Sequence, residues 1–171
     1  MHMMKHALKN LALLGFLALG TLALAQTTDT QSISIQVSNL EEITVVSGQN
    51  LTDSLTDPNT IRAGNYNKDF DTTLRFSTNA NALRKITAQA SFSAPSGATL
   101  LAKILANGFS TQAGNPISQD VTLGQNPVDL ITGIKNVASK EASFKVRVSI
   151  PDAPILAGTY QVSITYTLMG Y

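Results

Sequence analysis

Tyr160-Gln161-Val162-Ser163-Ile164-Thr165-Tyr166-Thr167-Leu168 is the stretch that decides the fold class. Tyr160, Val162, Ile164, Tyr166 and Leu168 occupy every second position, opposing Gln161, Ser163, Thr165 and Thr167. Successive side chains of a β-strand point to opposite faces, so this spacing describes a strand with one face inward and one face wet.

The same period recurs on moving outward. In Ala142–Ile150, Phe144, Val146, Val148 and Ile150 oppose Ser143, Lys145, Arg147 and Ser149. The link between these two strands runs from Pro151-Asp152-Ala153-Pro154 to Ala157-Gly158, which describes a shaped loop rather than a two-residue turn. Further upstream, Lys85–Ser93 aligns Ile86, Ala88, Ala90 and Phe92, and Thr72–Thr78 aligns Leu74 and Phe76. Ile43 with Val45, and Ile33, Ile35 and Val37 between serines and Gln36, read as two more half-buried strands. Gln119–Leu123 and Val128–Ile131 are weaker candidates around Gly124 and Pro127. Ala98–Leu105 fits a helical stripe, but its short length between turn signals and its strand neighbours favour a strand. Pro95-Ser96-Gly97, Asn107-Gly108 and Ala113-Gly114-Asn115-Pro116 read as breakers between strands.

This pattern predicts an all-β chain: a single antiparallel, Ig-like β-sandwich of about seven to eight strands over residues 26–171. One long stretch, Ser47–Phe70, lacks the alternation. It either holds a short strand near Thr60–Ala63 or serves as a functional loop, because long structureless loops are uncommon in compact domains.

Residues 1–25 read as a cleavable export signal. Lys5 and Lys9 precede an uncharged apolar run, Leu11–Leu24, and Ala23-Leu24-Ala25 offers the small residues a signal peptidase reads. As a helix this run would reach only ~21 Å at 1.5 Å per residue, short of the ~30 Å hydrocarbon layer. With no cysteine in the chain, lipid attachment at an N-terminal Cys is excluded.

Removal of that segment takes away both histidines, His2 and His6. The twelve basic residues fall to ten with the loss of Lys5 and Lys9, against eleven acidic ones, a net charge of −1. The remainder has no His, Cys or Trp. Zinc, copper and haem sites draw mainly on imidazole and thiol, so the reading assigns no cofactor and no metal. Ser-His-Asp and Cys-His catalysis lack their base, and no catalytic residue is assigned. A near-neutral chain without a basic cluster also lacks the charge that dominates nucleic-acid affinity.

Four local patterns carry possible chemistry beside plainer explanations. Asp53, Asp57, Asn59, Asn65, Asn67, Asp69 and Asp71 supply oxygen atoms of the type that hold Ca²⁺, but without EF-hand spacing, and turn chemistry explains them more simply. Asp69 and Asp71 share a face if their strand begins early, and two carboxylates are the minimum for glycoside hydrolysis. Ser139-Lys140-Glu141 cannot form a Ser-Lys dyad alone, since neighbours on a strand point apart. Asn50-Leu51-Thr52 matches a three-residue glycosylation acceptor.

The closing segment, Ala-Ser-Phe-Lys-Val-Arg-Val-Ser-Ile (142–150) followed by Ala-Gly-Thr-Tyr-Gln-Val-Ser-Ile-Thr-Tyr-Thr-Leu (157–168), resembles the last hairpin of bacterial surface β-sandwich domains. The likeness is to fimbrial or spore-coat-U-type subunits and to the WxL cell-wall-binding domain, with Tyr166-Thr167-Leu168 in place of Trp-x-Leu. The resemblance implies an Ig-like sandwich in an envelope or extracellular setting.

Together these features predict an exported, non-enzymatic structural or binding protein of the bacterial surface or periplasm. Its partner would be a protein or envelope component, with no nucleic acid and no membrane insertion after signal cleavage. Docking would use the terminal strand as an open edge or the Ser47–Phe70 loop, and self-association is one form it could take. Two alternatives are a small outer-membrane β-barrel and a carboxylate-based hydrolase using Asp69, Asp71, Glu41 or Glu42. Against the barrel, the residues alternating back from Tyr171 (Met169, Thr167, Thr165, Ser163) stop being apolar after two positions.

Overall fold

The computed structural model describes residues 32–50 and 52–171. The chain divides into a unit ending at Val37 and a compact body, Ser38–Tyr171. In the first unit the described residues Ser32–Val37 form no helix or strand, and Ile33, Ile35 and Val37 are 77, 83 and 75% exposed. This corrects the reading of that segment as a half-buried strand. Its alternation suits a strand, but a strand also needs a neighbour for its N–H and C=O groups, and none pairs with it among the described residues. The segment read as an export signal lies outside the described residues.

The body is a two-layer antiparallel sandwich. Its strands are β1 (Glu41–Ser47), β2 (Tyr66–Thr78), β3 (Arg84–Ser93), β4 (Leu101–Thr111), β5 (Asn115–Pro116), β6 (Val121–Thr122), β7 (Val128–Ile134), β8 (Val137–Ile150) and β9 (Gln161–Gly170). One sheet runs β1-β2-β8-β4-β6 and the other β5-β7-β3-β9. Seven strands are seven residues or longer, and β5 and β6 are two-residue fragments. The described strands thus form two separate sheets rather than one closed cylinder.

The alternation becomes the core. Leu74 and Phe76 of β2, Ile86, Ala88 and Ala90 of β3, Ile104 of β4, Leu130, Ile131 and Ile134 of β7, and Phe144 and Val146 of β8 are buried between the layers. Phe144 lies 4.9 Å from Phe109 and 5.9 Å from Tyr166, ring centre to ring centre, so one aromatic group ties β4 and β8 to β9 of the facing sheet. Offset and edge-on ring pairs of this kind add to simple area burial.

From β2 onward each successive strand enters the opposite sheet. That corrects the reading of the last two strands as a hairpin. β8 pairs with β2 and β4, whereas β9 pairs with β3, so the proline-rich link crosses from one layer to the other. Asn107-Gly108 also plays a different part from the one read in sequence. It lies inside β4, where the register against β8 shifts between Leu105 and Ser110, so it marks a bulge and not a strand end.

The strand expected near Thr60–Ala63 is instead a short helix, α1 (Pro58–Ala63). Asp57 caps it, accepting from the Thr60 N–H at 2.9 Å and the Asn59 N–H at 3.4 Å, and Pro58 sits in the first turn, where its missing donor costs nothing. Gly64 ends the helix with φ +70°, donating its N–H to the Thr60 carbonyl at 3.0 Å. The Ile155 N–H donates to the Ile61 carbonyl at 2.8 Å, fixing α1 to the β8–β9 link. Beneath it, Leu100, Ile150 and Ile155 form a second small core with Leu55, Tyr66 and Tyr160.

Candidate functional site: an unprotected sheet edge

A sheet edge presents unpaired backbone donors and acceptors, and soluble proteins blunt such edges with charge, proline, bulges or brevity. Three of the four edges in this body are blunted. β5 and β6 are two residues long, and β5 contains Pro116. β1 carries Glu41 and Glu42 and has a register shift between Val45 and Ser47.

β9 has none of these devices. It pairs with β3 through ten consecutive residues, Gln161↔Ser93 to Gly170↔Arg84, without a register shift. Gln161–Gly170 contains no charged residue and no proline. Among the described residues no strand pairs with its other side. Val162, Ile164 and Tyr166 point toward the core but are only half-buried, as are Ile43 and Val45 of β1, which lies against β9 across the layers. The flank between β1 and β9 therefore holds an incompletely covered apolar row beside an open backbone edge.

The tyrosines of this region do structural work. Tyr160 donates its hydroxyl to the Leu156 carbonyl at 3.0 Å, and the Tyr171 hydroxyl accepts from the Gly133 N–H at 2.9 Å. Burial pushes the Tyr166 phenol well above its ordinary pKa, countered in part by a hydrogen bond with Thr72.

The other candidate, Ser47–Phe70, is largely committed to internal structure. Asp53 accepts from the Tyr66 hydroxyl and lies 3.9 Å from Lys68; the Tyr66 bond, more than the Lys68 charge, holds its carboxyl below the usual range. Asp57 caps α1, and its bonds to Thr60 and Asn59 likewise lower its pKa. Asn65 adopts φ +60°, and its carbonyl accepts from Asn67 Nδ2 at 2.9 Å. Among the described residues no group of three or more acidic side chains converges as metal ligands would.

Asp69 and Asp71 do share the outer face of β2, because that strand begins at Tyr66. Each faces a cation on β8: Arg147 lies 2.6 Å and 2.9 Å from the two Asp69 oxygens, and Lys145 lies 3.5 Å from Asp71. Hydrogen bonding to Arg147 holds the Asp69 carboxyl below the usual range. These pairs belong to a cross-strand polar ladder that begins with Asn67–Ser149 (2.7 Å) and continues through Thr73–Ser143 (3.1 Å) to Arg75–Glu141 (2.7 Å). Opposed partners of this kind stabilise a wet sheet face.

Glu41 is paired with Arg84 at 2.5 Å. Glu42 lines a depression of about 230 Å³ with Thr44, Arg75 and Ser139, without a second carboxylate. A cavity of about 300 Å³ near Asn115 and Thr132 contains only Asp129, whose carboxylate is 2.8 Å from Lys85. Ser139 donates its backbone N–H to Ser77 Oγ at 3.0 Å.

No helix among the described residues is long and apolar enough to cross a membrane. No protein-family model matches the chain, and no curated protein matches it.

The open edge was legible in part, since the terminal strand was the candidate edge. What the sequence reading passed over is the absence of charge from Gln161 to Gly170, a signal present in the letters. It acquires meaning only once the strand is known to lie at an edge.

Proposed function

We propose that this chain is an exported, non-catalytic structural or binding protein of the bacterial cell surface or periplasm, comparable in role to fimbrial or envelope subunits. It works by accepting a strand from a partner along β9. One observation carries this reading: β9 is a ten-residue, uncharged, bulge-free edge beside half-buried apolar side chains, while the other three edges are blunted. Backbone pairing along such an edge supplies affinity, and the alternate side chains supply specificity. The export pattern of residues 1–25 and the lack of imidazole and thiol beyond His6 support the setting and the non-catalytic role.

The test combines fractionation with a charged edge. The processed protein is expected in the detergent-free envelope or secreted fraction, bound to a partner. Ile164→Lys places an ammonium in the half-buried row and is expected to abolish that capture while the thermal melt stays cooperative. Capture that is indifferent to Ile164→Lys, or a processed protein with no partner that turns over a substrate, would sink the proposal.

A further inference from the structure

We infer that the folded chain modifies itself at Asn107-Gly108: the Gly108 main-chain nitrogen displaces the side-chain amide of Asn107 and leaves a new carboxylate on β4. The inference is independent of the β9 reading. Asn107 is the only asparagine of the chain that is followed by glycine. Asn115 and Asn126 precede prolines, which have no N–H to attack with, and the other asparagines precede residues whose Cβ crowds the approach. Within a regular strand the reaction is suppressed, because a ladder bond occupies the amide and the pleat fixes the side chain.

Here the ladder is interrupted at this dipeptide. β4 pairs with β8 at Leu105↔Lys145 and resumes at Ser110↔Ser143, so Ala106, Asn107, Gly108 and Phe109 stand opposite Phe144 alone. On its other side β4 pairs with β6 at Lys103 and Ile104, short of the dipeptide. Asn107 and Gly108 are both exposed, Gly108 has φ +81°, and no atom beyond its chain neighbours lies within 4 Å of where a Cβ would stand. The bulge is held at its ends and free at its tip. Ala106 donates its N–H to Asp120 Oδ1 at 3.0 Å, and the Phe109 ring lies 4.9 Å from that of Phe144. Asn79, by contrast, has its side chain engaged at both ends, with Oδ1 accepting from the Leu40 N–H and Nδ2 donating to the Ser38 carbonyl.

The reaction needs only hydroxide and water. Hydroxide removes the Gly108 N–H proton, and the nitrogen bonds to Asn107 Cγ. The Cγ–Nδ2 bond breaks, and Nδ2 takes a proton from water and leaves as ammonia, closing an imide ring. Water then opens the imide at either carbonyl. One product is aspartate in the original chain; the other is isoaspartate, whose main chain runs through the former side chain and is longer by one methylene. Nothing is oxidised or reduced. Beyond residue 25 the eleven acidic residues become twelve, against ten basic ones. The new carboxylate arises next to Ala106, whose N–H is held by Asp120, with Lys103 3.5 Å from that same aspartate. The bulge absorbs the longer isoaspartyl chain, because it has no ladder to keep in register. The β4 flank thus gains negative charge as the molecule ages, and the core is left unchanged.

Mass spectrometry of the purified chain, aged in buffer at growth temperature, tests this. Peptide mapping is expected to show Asn107 converted at least tenfold faster than any other asparagine, to a mixture of aspartate and isoaspartate. The rate should rise in proportion to hydroxide, and hydroxylamine should cleave the chain between Asn107 and Gly108 by trapping the imide. Ageing the same chain unfolded in urea separates the fold from the dipeptide: the folded rate is expected to stay within tenfold of the unfolded one. Gly108→Ala is expected to slow conversion at least tenfold; should that variant fail to fold, Asn107→Gln, which would have to close a larger ring, serves the same purpose. Asn107→Asp is expected to melt as the parent does. The inference is overturned if Asn107 stays intact in the folded protein while the unfolded chain converts, if another asparagine reacts first, if neither Gly108→Ala nor Asn107→Gln slows the change, or if Asn107→Asp lowers the melting temperature.

Discussion

Replacing Gly64 by alanine tests whether the loop after β1 is a built part of the body. Gly64 has φ +70° and ψ −159°, a region open essentially to glycine alone, where an L side chain costs about 1–3 kcal/mol. A Cβ there would also collide with the carbonyl oxygen of Asp152 and come within 2.9 Å of its carbonyl carbon and 3.0 Å of Ala153 Cβ. Backbone cannot swing aside as a flexible side chain can, so overpacking adds about 1–3 kcal/mol. Gly64→Ala is therefore expected to cost about 2–6 kcal/mol, a fall in Tm of roughly 8–24 °C at ~4 °C per kcal/mol for a body of this size. Gly97→Ala is the control. Its φ is +83°, but no atom lies within 4 Å of the added carbon, so only the backbone term of about 1–2 kcal/mol applies. Thermal melts followed by circular dichroism compare the two, and hydrogen exchange at the Ile155 amide, bonded to Ile61, reports on the dock itself. Equal melting of both variants with unchanged Ile155 protection would refute the argument that α1 is locked against the β8–β9 link.

Phe144→Ala removes a 2%-exposed ring lying between Phe109 and Tyr166 and is expected to cost about 3–5 kcal/mol in urea unfolding; a loss below about 1 kcal/mol would show that the aromatic group does not join the sheets. Asp53, Asp57 and Asp69 all have folded pKa values below the ordinary 3.8, so their contribution is present above that value and is lost as the pH falls through the folded pKa values. The Tm is therefore expected to drop on acidification below about pH 4, and Asp69→Asn is expected to shallow that drop; an unchanged slope in Asp69→Asn would count against the Arg147 pair. At the alkaline end, Tyr66 and Tyr166 are raised above 10.0, chiefly by burial, so stability should be lost as pH climbs past the unfolded value. Phenolate absorbance of the folded protein should lack the contribution of these two rings until unfolding, and Tyr166→Phe should remove one late-appearing phenolate; finding that phenolate at ordinary pH would contradict the packing of Tyr166.

Period-2 alternation in 72–78, 85–93, 142–150 and 160–168 was enough to define the fold class and the inward face of each long strand, because the side-chain direction of a strand is a local property of its backbone. Composition alone likewise removed imidazole and thiol chemistry beyond His6. Pairing is not local, and only the tertiary structure decided it. Nothing in the letters of β8 and β9 says that they lie in opposite sheets, because the proline-rich link fits a crossover as well as a wide hairpin. Nor does the alternation of Ser32–Val37, as regular as that of β3, reveal that it has no partner within the described chain. Thr60–Ala63 became helical through the Asp57 cap and its dock on Ile155, two influences outside those four residues. Whether an uncharged strand is a core element or an open docking edge depends on who sits beside it, and that is fixed by chain segments dozens of residues away.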